Sequence, residues 1–154
     1  MVIEENINLP AKDLMNPNVV TVKPDATLKE VSELMNRQKI GSVVVVDNEK
    51  VVGIVTERDY ATKIMINAYQ PDAKVSDVMS SPVISVSPNQ SVADIIEVMA
   101  NNEIRKVPVI DSEKIVGMVS GTEFLRLFVQ ATDQDIKKVY QQYVKRIYSK
   151  WFQD

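Results

Sequence analysis

Apolar positions along this chain alternate between two rhythms. Leu28, Val31, Leu34 and Met35 recur at three- and four-residue spacing, which predicts a helix from Thr27 to about Gln38. Thr27 with Glu30 three residues on supplies its start, because a hydroxyl and an acid at that spacing satisfy each other's backbone donors. Residues 42–46 and 51–55 are unbroken runs rich in β-branched side chains and too short for helices, with Asp47-Asn48-Glu49-Lys50 turning between them. They predict a hairpin buried on both faces. Upstream, residues 11–15 predict a helical turn, and residues 19–22 a strand halted by Pro24, which has no donor to continue a ladder. After Thr56 a second helix is expected to turn Tyr60, Ile64 and Ala68 inward and to end before Pro71.

The whole pattern occurs twice. At an offset of 64 residues, Gly53-Ile54-Val55-Thr56 falls on Gly117-Met118-Val119-Ser120 and Asp59 on Glu123. The register holds without a gap. Asp13 and Met15 meet Asp77 and Met79, Val22 and Pro24 meet Val86 and Pro88, and Thr27-Leu28 meets Ser91-Val92. Further along, Met35 meets Met99, Ile40 meets Ile104, Val43, Val45 and Asp47 meet Val107, Val109 and Asp111, and Glu49-Lys50 meets Glu113-Lys114. Such self-similarity marks two copies of one supersecondary unit, neither able to bury its apolar face alone. The second copy predicts a turn at 76–79, a strand at 83–86 stopped by Pro88, a helix over 91–101, a hairpin of 106–110 and 115–119, and a helix after Ser120. In that first helix of the second copy, Val92, Ile95, Ile96 and Met99 face inward.

Each copy therefore reads β-α-β-β-α, a mixed α/β (α+β) arrangement of helices on a small sheet. The expected organisation is a head over 1–10, a first unit over 11–68, a linker over 69–75, a second unit over 76–131 and a tail over 132–154. So short a linker predicts that the two copies share one core.

Candidate chemistry gathers at the strand-to-helix junctions. The opening turn of a helix leaves N–H groups unpaired, so Thr56 and its neighbours are placed to meet an anion. Asp59, three residues on, stands on the same side and can accept hydrogen bonds from sugar hydroxyls. The same letters fit a capping box, in which hydroxyl and acid serve only the helix. Where the first copy has Gly41-Ser42, the second has Arg105-Lys106. Two adjacent cations can hold a phosphate, or can simply discourage edge pairing at the end of a strand.

The phrase glycine, apolar residue, valine, Thr56 or Ser120, then an acid three residues later, follows a valine-rich strand and keeps register with an upstream Val-x-Pro. On these residues each copy resembles a cystathionine β-synthase (CBS) domain, and the tandem resembles the paired form called a Bateman module, over about residues 11–127. The resemblance implies a first cleft with Thr56 on phosphate, Asp59 on ribose, Ser42 and Val43 beside the ligand, and Arg58 adding charge. Pro82, Val83 and Ile84 of the other copy would sandwich an adenine. A second cleft would use Ser120, Thr122, Glu123, Arg105 and Lys106 with Asn18, Val19 and Val20. Glu123 departs from the aspartate of the family, and its carboxylate reaches one methylene further. The implied ligand is an adenine nucleotide (AMP, ADP or ATP) or a related adenosyl compound, with no catalytic cofactor. The implied assembly is a homodimer of modules stacked into a disc, regulating a protein partner.

Composition narrows the alternatives. The chain has 154 residues, 45% hydrophobic and 25% charged, with no cysteine and no histidine. That removes disulfides, thiolate chemistry, the usual general base and the commonest metal ligand, so neither a metal site nor an enzyme is expected. A net charge of −3 argues against wrapping nucleic acid. No apolar run is long enough to span a membrane, and the first residues lack a signal peptide's basic start, so a cytoplasmic protein is expected. From Asp135 onward, Ile136, Val139, Tyr140, Tyr143, Val144, Ile147 and Trp151 keep helical spacing opposite Lys137, Lys138, Lys145, Arg146 and Lys150. This amphipathic helix is expected to pack on the body or on a second subunit. The rival readings are a structural dimerisation module without nucleotide, and a nucleic-acid or membrane-surface binder acting through that basic helix.

Overall fold

The computed structural model describes residues 8–129. The expected tail helix and the first seven head residues lie outside them. In chain order the elements are α1 (Ala11–Leu14), β1 (Thr21–Val22), α2 (Leu28–Gln38), β2 (Ser42–Asp47) and β3 (Lys50–Thr56). There follow α3 (Glu57–Asp59), which runs into a π-helical turn over Tyr60–Ile64, and a 3-10 turn over Val75–Asp77. The second half holds α4 (Val92–Asn101), β4 (Lys106–Asp111), β5 (Lys114–Ser120) and α5 (Gly121–Val129).

Local chemistry sets the helix starts. The Thr27 N–H and hydroxyl donate to Glu30 Oε2 at 2.8 and 2.9 Å, and the Glu30 N–H donates back to Thr27 Oγ1 at 3.2 Å. Ser91 and Asp94 repeat the arrangement at 3.0, 2.8 and 3.2 Å. These bonds hold both carboxyls below their ordinary range, through the Thr27 N–H for Glu30 and the Ser91 hydroxyl for Asp94. At the other end of α2, Lys39 turns left-handed at φ 56° and closes the helix.

Strands β1, β2 and β3 form one sheet in that order, with β1 parallel to β2 and β2 antiparallel to β3. Strands β4 and β5 form a two-stranded sheet. Both hairpins turn through two residues of positive φ, Asn48 (47°) and Glu49 (66°) in one and Ser112 (49°) and Glu113 (69°) in the other, the sense that matches strand twist. Burial differs from the expectation of two doubly covered strands. Val43, Val44 and Val45 of β2 are all buried, but β3 alternates, with Gly53 and Val55 buried and Val52 and Ile54 half-buried. The strand expected at 83–86 is reduced to a single parallel bridge between Val86 and Val109. The reason is one residue. In the first copy Val44 N–H donates to Val20 O at 3.1 Å, and the position equivalent to Val44 is Pro108, which has no N–H to give.

Two compact units form, and neither follows the repeats from end to end. Unit I takes Asn18–Ile84 with Ser112–Ile115; unit II takes residues 8–17, Ser85–Asp111 and 116–129. In unit I, Leu28, Val31, Met35, Val43, Val45, Val55 and Ile64 are joined by Val75 and Val78 from the lead-in of the second copy. In unit II, Val92, Ile95, Met99, Val107, Val109 and Val119 are joined by Ala11 and Leu14 from the first. Bridges Thr27–Lys74 and Ile54–Ser80 stitch unit I, and Pro10–Ser91 and Asn16–Met118 stitch unit II at the same relative positions. Each repeat thus lends its opening segment to the body of the other.

Two glycines make room for that exchange. A Cβ on Gly53 would lie 2.7 Å from Met79 Cγ, and one on Gly117 would lie 2.6 Å from Met15 Cγ, so only a bare α-carbon admits the methionine. At the rim of unit I, Lys50 pairs with Glu113 at 2.6 Å and Lys114 with Glu49 at 3.2 Å. These pairs are exposed and contribute little on their own. The Val51 N–H donates to Glu113 O at 3.0 Å beside them.

Candidate functional site

Strand β3 ends at Thr56 in extended backbone (φ −124°, ψ 165°), and the chain turns into α3 at Glu57. The Thr56 N–H and hydroxyl donate to Asp59 Oδ2 at 2.7 and 2.8 Å. The Glu57 N–H donates to Gly41 O at 3.1 Å. The Thr56 N–H and hydroxyl and the Glu57 N–H are therefore engaged within the chain, and the cap uses the same hydroxyl and acid as the candidate ligand contact. Asp59 is only 7% exposed. Its other oxygen, Oδ1, receives Lys63 Nζ at 2.8 Å, and that ammonium also donates to Val78 O at 3.2 Å and Ser80 Oγ at 3.0 Å.

The sequence reading does not single out Lys63. A signal for it exists, since a lysine four residues after an acid on a helix faces it. The two other acceptors come from the second copy's lead-in, and no pattern along the chain connects them to Lys63. Beyond Asp59 the helix widens, with the Met65 N–H donating to Tyr60 O at 3.1 Å across five residues, a form often found at functional sites. Tyr60 donates its hydroxyl to Leu28 O at 2.6 Å. Burial pushes its phenol up to about 12. Ala68, expected to point inward, is exposed at φ 53°, because the helix has already ended.

The other candidates for the first cleft also lie in unit I. Ser42 is the register partner of Thr56 across β2 and β3, and Val43 beside it is buried. Arg58 is exposed. Pro82, Val83 and Ile84 follow the cis Ser81–Pro82 bond as irregular chain, with Ile84 40% exposed. All of them belong to unit I with Asp59.

At the second junction the Ser120 N–H and hydroxyl donate to Glu123 Oε2 at 2.7 and 2.6 Å, and the Thr122 N–H donates to Ser120 Oγ at 3.3 Å. The extra methylene of Glu123 is accommodated, and the residue is 4% exposed. Thr122 and Arg105 are exposed, and Lys106, half-buried, opens β4. Arg105 and Lys106 both hold interactions of their own. Asn18, Val19 and Val20 belong to unit I, the rest of this set to unit II. The position equivalent to Lys63 is Leu127, which packs against the unit II core.

A buried carboxylate beside a hydroxyl, repeated at two strand-to-helix junctions, is suited to accept hydrogen bonds from a polyhydroxylated ligand. Among the described residues there is no cluster of acids able to hold a metal ion, and no helix is long and apolar enough to cross a membrane.

Comparison with known proteins gives this geometry relatives. The family model described as CBS domain matches residues 11–66 and 75–130. The CBS domain-containing protein YhcV of Bacillus subtilis is 35% identical over 109 residues, covering 71% of this chain and 78% of that one. An uncharacterised protein of Methanopyrus kandleri is 32% identical over 127 residues, and the match covers 79% of this chain and 65% of that one. Among solved structures, an uncharacterised conserved protein from Pyrococcus horikoshii superposes with a TM-score of 0.76 at 25% identity, over 82% of this chain and 97% of that one. A CBS domain pair solved with 5-methylthioadenosine and S-adenosyl-L-methionine superposes with a TM-score of 0.71 at 26% identity, over 79% and 97%.

Proposed function

This chain belongs to the CBS domain family as a tandem-pair regulatory module, and from that membership we propose that it senses an adenosyl ligand, an adenine nucleotide or a related compound. The observation that carries the reading is the repeated pairing of a hydroxyl with a buried acid, Thr56 with Asp59 and Ser120 with Glu123. A related pair solved with two adenosyl ligands supports it. In this reading the acids take the ribose. Thr56, Arg58 and Ser42 serve the phosphate end at the first copy, Ser120, Thr122, Arg105 and Lys106 at the second. The apolar walls for the first ligand are Val43, Pro82, Val83 and Ile84. The module acts by binding and not by catalysis, in the cytoplasm, as a homodimer that reports to a protein partner. Exposed Met65 and Ile66 suit such an assembly.

Melting the protein with AMP, ADP, ATP, 5-methylthioadenosine and S-adenosyl-L-methionine tests this. A ligand at about a hundred times its dissociation constant stabilises the folded state by about 2.7 kcal/mol, and the midpoint rises accordingly. Unchanged midpoints with every compound would favour the other reading, a structural dimerisation module. The engagement of Thr56 and Asp59 with each other supports that alternative.

A further inference from the structure

The two acids are not equally satisfied. Asp59 has bonds at both oxygens, to Thr56 at Oδ2 and to Lys63 at Oδ1. Glu123 accepts from Ser120 at Oε2, and among the described residues nothing donates to its Oε1. It is the more buried of the two, 4% exposed against 7%. The difference traces to one substitution between the repeats, because Leu127 stands where the first copy has Lys63. A buried carboxylate oxygen without a donor is a standing cost, and whatever brings a donor to it recovers that cost on binding.

Resting on the adenosyl reading, we propose that the Glu123 site is the one that fills first, its Oε1 accepting a ribose hydroxyl, while Lys63 holds the Asp59 site closed. A ribose hydroxyl arriving at Asp59 meets an oxygen already bonded by an ammonium that is itself tied to Val78 O and Ser80 Oγ. Arriving at Glu123, it makes a bond that no described residue supplies. Lys63 is thus a specificity-determining residue, setting which copy answers at low ligand concentration.

Calorimetry on the full chain with S-adenosyl-L-methionine and 5-methylthioadenosine is the test. At low ligand concentration the wild type takes one ligand per chain, at the Glu123 site. Glu123→Gln keeps an oxygen for the cap but replaces the charged acceptor by an amide nitrogen that cannot accept the incoming hydroxyl's proton, and Leu127→Lys installs the first copy's internal partner. Each weakens binding about tenfold or more, the scale of one unsatisfied buried group. Lys63→Leu frees Asp59 and adds a second binding event. Wild-type affinity in both Glu123→Gln and Leu127→Lys overturns the proposal. If the wild type binds neither compound, the same titrations are run with AMP, ADP and ATP; if none of the five binds, the adenosyl reading fails, and the open acceptor is decided without ligand by a melting cycle of Leu127→Lys with Glu123→Gln. The cycle cancels the packing lost at Leu127. Favourable coupling between the lysine introduced at position 127 and the native Glu123 upholds an open Oε1; zero coupling overturns it.

Discussion

Tyr60 joins the helix after Thr56 to α2 through its hydroxyl bond to Leu28 O. Burial pushes its phenol up to about 12, against about 10 in an unfolded chain. A raised folded value gives stability that is complete below pH about 10 and is lost as pH rises through about 12. Tyr60→Phe is therefore expected to cost about 1 kcal/mol in urea unfolding at neutral pH, and to flatten the alkaline loss of stability. The second copy carries Phe124 at this position and has no hydroxyl to lose. Residues of this kind show the limit of reading along a chain. Thr56 and Asp59 are legible as a pair because three-residue spacing decides their contact. The Tyr60 and Lys63 contacts depend on Leu28, Val78 and Ser80, which the tertiary fold brings in from distant parts of the chain.

Strand β3 carries a contact that its own alternation does not announce. Gly53 sits under Met79. Gly53→Ala is expected to destabilise the protein by about 1–3 kcal/mol, the range for overpacking. Combined with Met79→Ala it should cost less than the sum of the two single changes, and chemical denaturation of the four proteins measures that coupling. The helices α2 and α4 are readable to within a residue, since capping and periodicity are local. The strand expected at 83–86 fails for an equally local reason located elsewhere, namely Pro108 in β4. A strand is made by its neighbour's donors as much as by its own residues. The π turn at Tyr60–Ile64 leaves no mark in the periodicity, because one extra residue per turn over five residues hardly shifts the apolar face.

The duplication announces the architecture, and the family model matches residues 11–66 and 75–130. What the repeat does not reveal is that Val75 and Val78 complete the first copy's core, while Ala11 and Leu14 complete the second's. Offset alignment compares equivalent positions and is blind to which copy each one packs against. A fragment of residues 18–84 is accordingly expected to unfold cooperatively in urea, whereas a fragment of 11–68, the first copy by sequence, is expected to lack a transition. Circular dichroism of the two fragments distinguishes them. The seating of Met15 on Gly117 and Met79 on Gly53 also bears on how such a gene diverges. A mutation at position 15 is felt at position 117 in the other half, so the two halves are held to change together.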